Sequence, residues 1–318
     1  MALQAPSPAR RRALQLMAST AALAGMGALP AGAAPTDAAP AAANRLMRRI
    51  PRSGETIPAI GLGTYRSFDV GDDESQRAPL REVLRRFVAL GGRVIDSSPM
   101  YGRAETVIGD LASESVPGER LFYATKVWTR GRAAGIDQME ASFRRLRVTR
   151  MDLMQIHNLV DLETHHATLR AWKAEGRIRH VGITHYHAGA YDELARLIER
   201  DAFDFVQFNY SIAEREAEAR LLPLAHERGV AVLVNRPFAQ AGLFGRVRGR
   251  PLPEWCAEFD CTSWAQFFLK YILAHPAVTC VIPATGNPAH LADNMAAGVG
   301  ALPDAATRRR MVELMAAL

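Results

Sequence analysis

Beyond about residue 46 the chain alternates between two hydrophobic rhythms. Short apolar, β-branched runs predict strands at Ile60–Tyr65, Arg93–Ser97, Leu121–Val127, Met151–His157, His180–Thr184, Phe203–Asn209, Ala231–Asn235 and Cys280–Pro283. Between them, apolar residues recur at three and four, as in Leu80, Val83, Leu84, Phe87, Val88 and Leu90. That period predicts helices over Leu80–Leu90, Glu105–Ala112, Gln138–Leu146, His165–Glu175, Ala190–Arg200, Glu214–Arg228, Thr262–His275 and Pro288–Ala297. Gly91-Gly92, Gly176 and Gly229 stand where helices should stop, and Pro288 where the last should start. Strict β-α alternation with nearly continuous apolar strands requires a parallel sheet covered on both faces. Eight such units predict a single α/β domain, a (β/α)8 TIM barrel over residues 46–318. A doubly wound sheet is the alternative, but Gly61-Leu62-Gly63 lacks the third glycine of a dinucleotide fingerprint. The pairs Met47–Ile50 and Thr56–Ala59, around Ser53-Gly54-Glu55, predict a hairpin closing the N-terminal mouth of the barrel.

The first residues follow neither rhythm. Arg10-Arg11-Arg12 precede a small-residue apolar run to Leu29 and an A-x-A site at Ala31-Gly32-Ala33, the layout of an export signal over residues 1–33. Consecutive arginines suggest the twin-arginine kind and hence that export machinery as a partner, with a general secretory signal or a surface anchor as alternatives. The Ala/Pro-rich residues 34–45 predict a disordered linker. The expected location is periplasmic or exported, and cytoplasmic if the signal does not work.

Charge narrows the function classes. The net charge is +6, and residues 1–52 hold seven arginines against one acid, Asp37, which accounts for all of it. A balanced body excludes the electrostatic footprint of a nucleic-acid binder. Cys256, Cys261 and Cys280 lack metal or redox spacing and read as buried thiols, with a Cys256–Cys261 bridge open in an oxidising compartment. No helix shows a surplus apolar face, which predicts a monomer.

In a barrel of this kind the active site lies at the C-terminal strand ends. Those ends are polar: Asp96, Lys126, His157-Asn158, Thr184-His185, Gln207 with Asn209, and Asn235-Arg236. Four residues assemble into a proton-transfer device. Tyr101, five residues after Asp96, has a phenol whose ordinary pKa of about 10 is high for acid-base work at neutral pH, and Lys126 is the cation that could lower it. Asp96 would hold the buried ammonium, and His157 would donate to a substrate carbonyl oxygen. A zinc site built from His157, His185 and His187 is set aside because Lys126 would place a positive charge beside the metal. His165-His166 reads as a solvated helix start.

These motifs resemble the aldo-keto reductase family. Ile60–Thr64 is similar to its first strand, "VIDSSPMYG" to its Asp-x4-Tyr-Gly motif, "ATK" to its lysine segment and "DLMQIHN" to its histidine segment, all in the family's order, with similarity from about Ile50 onward. The resemblance implies an NAD(P)H-dependent oxidoreductase that reduces aldehydes or ketones, with Tyr101 as general acid, Asp96 and Lys126 tuning it, and His157 positioning the carbonyl. The non-enzyme alternative is a weakly active or inactive nicotinamide-binding barrel serving as sensor or partner subunit. The cofactor set implied is Gly63, Thr64, Thr184, His185 and Gln207, the last three at the carboxamide. Tyr65, Trp128 and Tyr186 are candidates for an apolar substrate pocket.

Two departures stand out. Where the family has an aromatic residue stacking on the nicotinamide, this chain has Asn235, leaving Phe238 or Tyr210 to cover that face and Arg236 to reach the pyrophosphate or form an ion pair. Where NADPH-specific relatives carry a lysine and an arginine, it has Ala284 and His290, leaving Thr285, Asn294 and the helix start after Pro288 as donors. NADP(H) is expected ahead of NAD(H), with weakened selectivity for the 2′-phosphate.

Overall fold

The computed structural model describes residues 45–318, so the export-signal and linker readings lie outside it, apart from Arg45. Two short strands, β1 (Met47–Arg49) and β2 (Thr56–Pro58), pair antiparallel as a hairpin. Eight parallel strands follow: β3 (Leu62–Gly63), β4 (Val94–Asp96), β5 (Phe122–Val127), β6 (Met151–His157), β7 (Ile178–Thr184), β8 (Phe205–Asn209), β9 (Ala231–Asn235) and β10 (Val278–Val281). Each pairs with its sequence neighbour. The ring closes through parallel bridges Ile60↔Val281 and Gly63↔Ala284. Gly61 N donates to Val281 O at 2.9 Å and Gly63 N to Pro283 O at 3.1 Å. This seam explains the two glycines, because a Cβ on Gly61 would stand 2.8 Å from Val94 O and one on Gly63 2.6 Å from Ile282 O.

The strands obey a period of two, and the two faces differ. Outward residues such as Ile95, Met154, Ile156, Val181, Ile183, Val206, Val232 and Val234 join the helices in one large core. Inward residues from the lower strand ends form a second cluster of Val94, Phe122, Ala124, Leu153, Phe205, Ala231, Leu233, Cys280 and Ile282. Ile50 and Ile57 of the hairpin complete that cluster, so the predicted plug is in place. Ascending the same inward face, the residues turn polar at Asp96, Lys126, Gln155, His157, Thr184, Gln207 and Asn209, all buried. A barrel floor sealed by apolar side chains therefore carries a polar layer beneath its opposite mouth.

The helices are α1 (Glu74–Ala89), α2 (Ala104–Ser115), α3 (Arg132–Leu146), α4 (Leu162–Ala174), α5 (Tyr191–Arg200), α6 (Leu221–Glu227), α7 (Gly242–Arg246), α8 (Trp264–Leu273), α9 (Pro288–Ala296) and α10 (Ala305–Ala317). α1 starts before the predicted residue because Asp73 caps it through Ser75 N, and Pro79 lies on its exposed side. The predicted helix over Glu214–Arg228 is broken. Its first part forms a Ser211↔Glu214 bridge and a 3-10 turn at Glu216–Glu218, and α6 begins only at Leu221, which places Pro223 in a first turn where it is tolerated. Cys256, Cys261 and Cys280 are buried free thiols.

The expectation of a solvated His165-His166 is overturned. Both are buried on α4: His165 Nε2 is 2.8 Å from Thr129 O, and His166 packs on Phe203 with ring centroids 4.6 Å apart. The close approach of α3 causes this, since a Cβ on Gly135 would stand 2.4 Å from the His165 ring.

Candidate active site

β4 ends on Asp96, and a tight turn then carries the chain across the mouth, with Tyr101 N donating to Ser98 O at 3.0 Å. Five residues thus suffice to bring an acid and a phenol to one place. β5 contributes Lys126, whose Nζ donates to Asp96 Oδ2 at 2.8 Å and to Ser97 O at 2.6 Å. The pair is sealed, with side chains 1% and 3% exposed. Two amides complete the carboxylate's shell, Gln155 Nε2 at 3.2 Å and Gln207 Nε2 at 3.4 Å. A carboxylate so deep in a barrel is costly unless paired and hydrogen-bonded, and Asp96 is both.

Lys126 Nζ lies 5.1 Å from the centroid of the Tyr101 ring. Burial works against the ammonium, but Asp96 and then Tyr101 outweigh it, and Lys126 titrates above its ordinary value. The expected lowering of Tyr101 is not the net result. Burial pushes the phenol above its ordinary value, and Lys126 opposes that without overcoming it, because the ammonium's charge is already engaged by Asp96. At neutral pH Tyr101 is a neutral donor.

β6 ends on His157, edge-on to Tyr101 with ring centroids 6.2 Å apart. Burial, then the charge of Lys126, holds its imidazole down to about 3, so it is neutral at any ordinary pH. Tyr65 and Trp128 flank this centre, 5.0 Å from the Tyr101 ring and 6.3 Å from the His157 ring, and are 50% and 41% exposed. Both therefore offer apolar surface at the mouth. Tyr186 stacks on His185 at 5.5 Å and lies under the Arg236 guanidinium at 4.6 Å. It ties the loops after β7 and β9 together.

The ends of β6, β8 and β9 carry amide oxygens that are buried and unpartnered among the described residues: Asn158 Oδ1, Gln207 Oε1 and Asn235 Oδ1. They stand on neighbouring strand ends, as Asn158 N donates to Thr184 O at 2.8 Å, His185 N donates to Gln207 O at 3.0 Å, and Asn235 is in register with Asn209 of β8. Buried acceptors of this kind suit a carboxamide NH2, which is the fit a nicotinamide requires. The backbone here is unusual. Asn158, Leu159 and Asp161 after β6, and Arg236, Ala239, Gln240 and Ala241 after β9, all have left-handed φ without being glycine.

Other expected cofactor residues divide. Gly63 and Thr64 serve the seam and the layer below it, the Thr64 hydroxyl donating to Asp96 O at 2.9 Å. Tyr210 is fully buried with its hydroxyl on Glu218, so it cannot cover a nicotinamide. Phe238 packs against Phe244 and Phe268, centroids 4.9 and 6.4 Å away. At the start of α9, Asn287 Oδ1 accepts from Ala289 N and His290 N, so two of the helix's first amides are already engaged. Thr285 accepts from Asn287 N, Asn294 is buried and His290 is exposed. Sequence reasoning passed over Gln155 and Ser98. The first was readable, since Leu153, Gln155 and His157 alternate onto one face of β6; the second touches His157 from 59 positions away, which no local pattern reports.

A model of the aldo/keto reductase family matches residues 59–309. Methylglyoxal reductase YeaE of Escherichia coli (strain K12) is 32% identical over 251 residues, covering 76% of this chain and 85% of its own. An NADH-specific methylglyoxal reductase of the same organism is 24% identical over 309 residues, covering 79% and 93%. Among solved structures, an aldo/keto reductase from Klebsiella pneumoniae in complex with NADP and acetate superposes with a TM-score of 0.70 at 26% identity, covering 84% of this chain and 95% of that one.

Proposed function

The chain belongs to the aldo/keto reductase family, and from that premise we propose how its own residues carry out NAD(P)H-dependent reduction of aldehydes and ketones. The observation that carries the reading is the convergence of Asp96, Lys126, Tyr101 and His157 on one mouth, beside three buried amide acceptors. Asn158, Gln207 and Asn235 hold the carboxamide, with Thr184 and His185 at the same strand ends. When bound, the reduced nicotinamide supplies the hydride. His157, neutral, donates to the carbonyl oxygen and polarises it, and Tyr101 gives that oxygen its proton. Lys126, anchored by Asp96, stabilises the phenolate left behind. Tyr65 and Trp128 shield the carbonyl from water, and small aldehydes such as methylglyoxal, the substrate in the names of two relatives, are the substrates to try first.

Aldehyde-dependent NADPH oxidation tests this. Reduction needs a protonated Tyr101, and the phenol loses its proton only above the ordinary value near 10. The expected kcat/KM is therefore flat through neutral pH and falls on the alkaline side, with no loss between pH 8 and 5 from His157, which charges only near pH 3. A bell centred near pH 7 would contradict the assignment. Tight nucleotide binding with no turnover on any carbonyl would favour the sensor reading instead.

The cofactor proposed is NADP(H), with weak selectivity over NAD(H). Ala284 has no charge to offer a 2′-phosphate, the His290 side chain is exposed, and Asn287 already engages the amides that begin α9. Ala284→Lys is expected to raise the preference for NADPH over NADH up to about 5-fold, as a single exposed ion pair allows, in fluorescence titrations of both nucleotides. An unchanged ratio would place the phosphate elsewhere.

The sequence pattern of residues 1–33, outside the described region, supports a further part of the proposal: the protein is exported, already loaded with nucleotide, by the twin-arginine route. N-terminal sequencing of protein from the periplasm, with mass spectrometry of the nucleotide it releases, is expected to find a chain beginning after Ala33. A cytoplasmic chain beginning at Met1 would refute it.

A further inference from the structure

Resting on the reductase reading, we propose that Ser98 is a positioning residue that fixes the tautomer of His157. Its hydroxyl donates to Nδ1 and leaves the imidazole proton on Nε2, the nitrogen that meets the carbonyl. Ser98 Oγ lies 3.2 Å from His157 Nδ1 and also receives the Met100 N–H at 3.4 Å. The serine is fully buried, so water does not satisfy its hydroxyl proton, and Nδ1 is the one acceptor it meets among the described residues.

Only one proton arrangement uses every group. Were the proton on Nδ1, Oγ would receive two donors while its own hydrogen had no acceptor among the described residues, an unsatisfied donor in a buried site. With Ser98 donating, Oγ accepts from Met100 N, Nδ1 accepts from Ser98, and Nε2–H is left without a partner among the described residues. The imidazolium, protonated on both nitrogens, is closed off by the same burial and by the charge of Lys126. The turn that delivers Tyr101 places Ser98 as well, since Ser98 O accepts from Tyr101 N at 3.0 Å. One turn after β4 therefore sets both donors that meet the carbonyl oxygen: the phenol directly, and the imidazole through its far nitrogen.

The test reads the tautomer directly. In protein labelled with 15N-histidine, two-bond proton–nitrogen spectra distinguish a protonated from a bare ring nitrogen, and loss of one signal set in His157→Gln assigns His157. The wild type is expected to show a bare Nδ1 and a protonated Nε2. Ser98→Ala is expected to give a mixture of tautomers, a fall in kcat/KM for aldehydes of roughly 5- to 10-fold, the size set by one neutral hydrogen bond, and an unchanged nucleotide Kd. A wild-type ring protonated on Nδ1 would overturn the proposal, as would a Ser98→Ala ring that keeps the wild-type tautomer, whatever its rate. The spectrum needs no turnover, so a wild type inactive on every carbonyl would refute the reductase reading and leave Ser98 to be judged by the tautomer alone.

Discussion

Tyr101→Phe is expected to lower kcat/KM for aldehyde reduction by about 10³-fold, within the range for loss of a general acid, while nucleotide affinity stays within about 2-fold. The ring would keep its packing against Tyr65 and its place beside His157. What goes is the one neutral O–H that burial holds protonated next to the carbonyl oxygen. His157 remains a donor, but its cation forms only near pH 3, and the neutral imidazole present instead has an N–H that is a far weaker acid than a phenol, so it polarises the carbonyl and does not replace Tyr101 in proton transfer. Steady-state rates on a small aldehyde, with nucleotide binding followed by fluorescence, decide the matter. Turnover within 10-fold of wild type would mean that the proton comes from elsewhere.

The second large effect concerns stability as well as rate. Lys126→Met is expected to destabilise the fold by about 3–5 kcal/mol, the cost of breaking a buried ion pair from one side. Asp96 would be left in a sealed layer with only the amides of Gln155 and Gln207 for company. Urea denaturation would read the loss, and aldehyde reduction would collapse with it. The double variant Asp96→Asn/Lys126→Met is expected to recover most of the stability and none of the rate, because an uncharged pair can pack but cannot support a phenolate. If the single variant were as stable as wild type, the carboxylate would have another partner than Lys126.

Both expectations concern residues that were legible before any coordinates, and the reason is local. Asp96 and Tyr101 share one turn, Lys126 and His157 end strands, and a strand buried on both faces announces itself as an uninterrupted apolar run. β6 and β9 accordingly match their predicted limits at both ends. The first strand shrank to Leu62–Gly63 because its flanking residues are given over to the closing seam, whose partners lie more than 200 positions away. α10 escaped notice because its buried stripe is thin, only Met311 and Met315 among alanines and arginines. On the site, what sequence could not deliver was competition for a group already engaged. The amides at α9 look free until Asn287 is seen to cap them, Tyr210 looks like a stacking ring until Glu218 is seen to hold it, and Lys126, whose pairing with Asp96 the sequence predicts, looks like a cation that lowers Tyr101 until the burial of the phenol is seen to outweigh it.

The left-handed loops after β6 and β9 set an order in which activity should fail. Each such residue costs about 1–2 kcal/mol on its own and holds its shape only while its surroundings insist on it. Asp96 to Tyr101 has no such residue, whereas the amides of Asn158 and Asn235 stand at the edge of three and four of them. As the protein is warmed, or gathers substitutions at a distance, the loops proposed to hold the carboxamide should relax while the turn proposed to carry the proton donor keeps its geometry. Ageing of the enzyme would then first raise the concentrations it needs, and only later slow what it does once they are met.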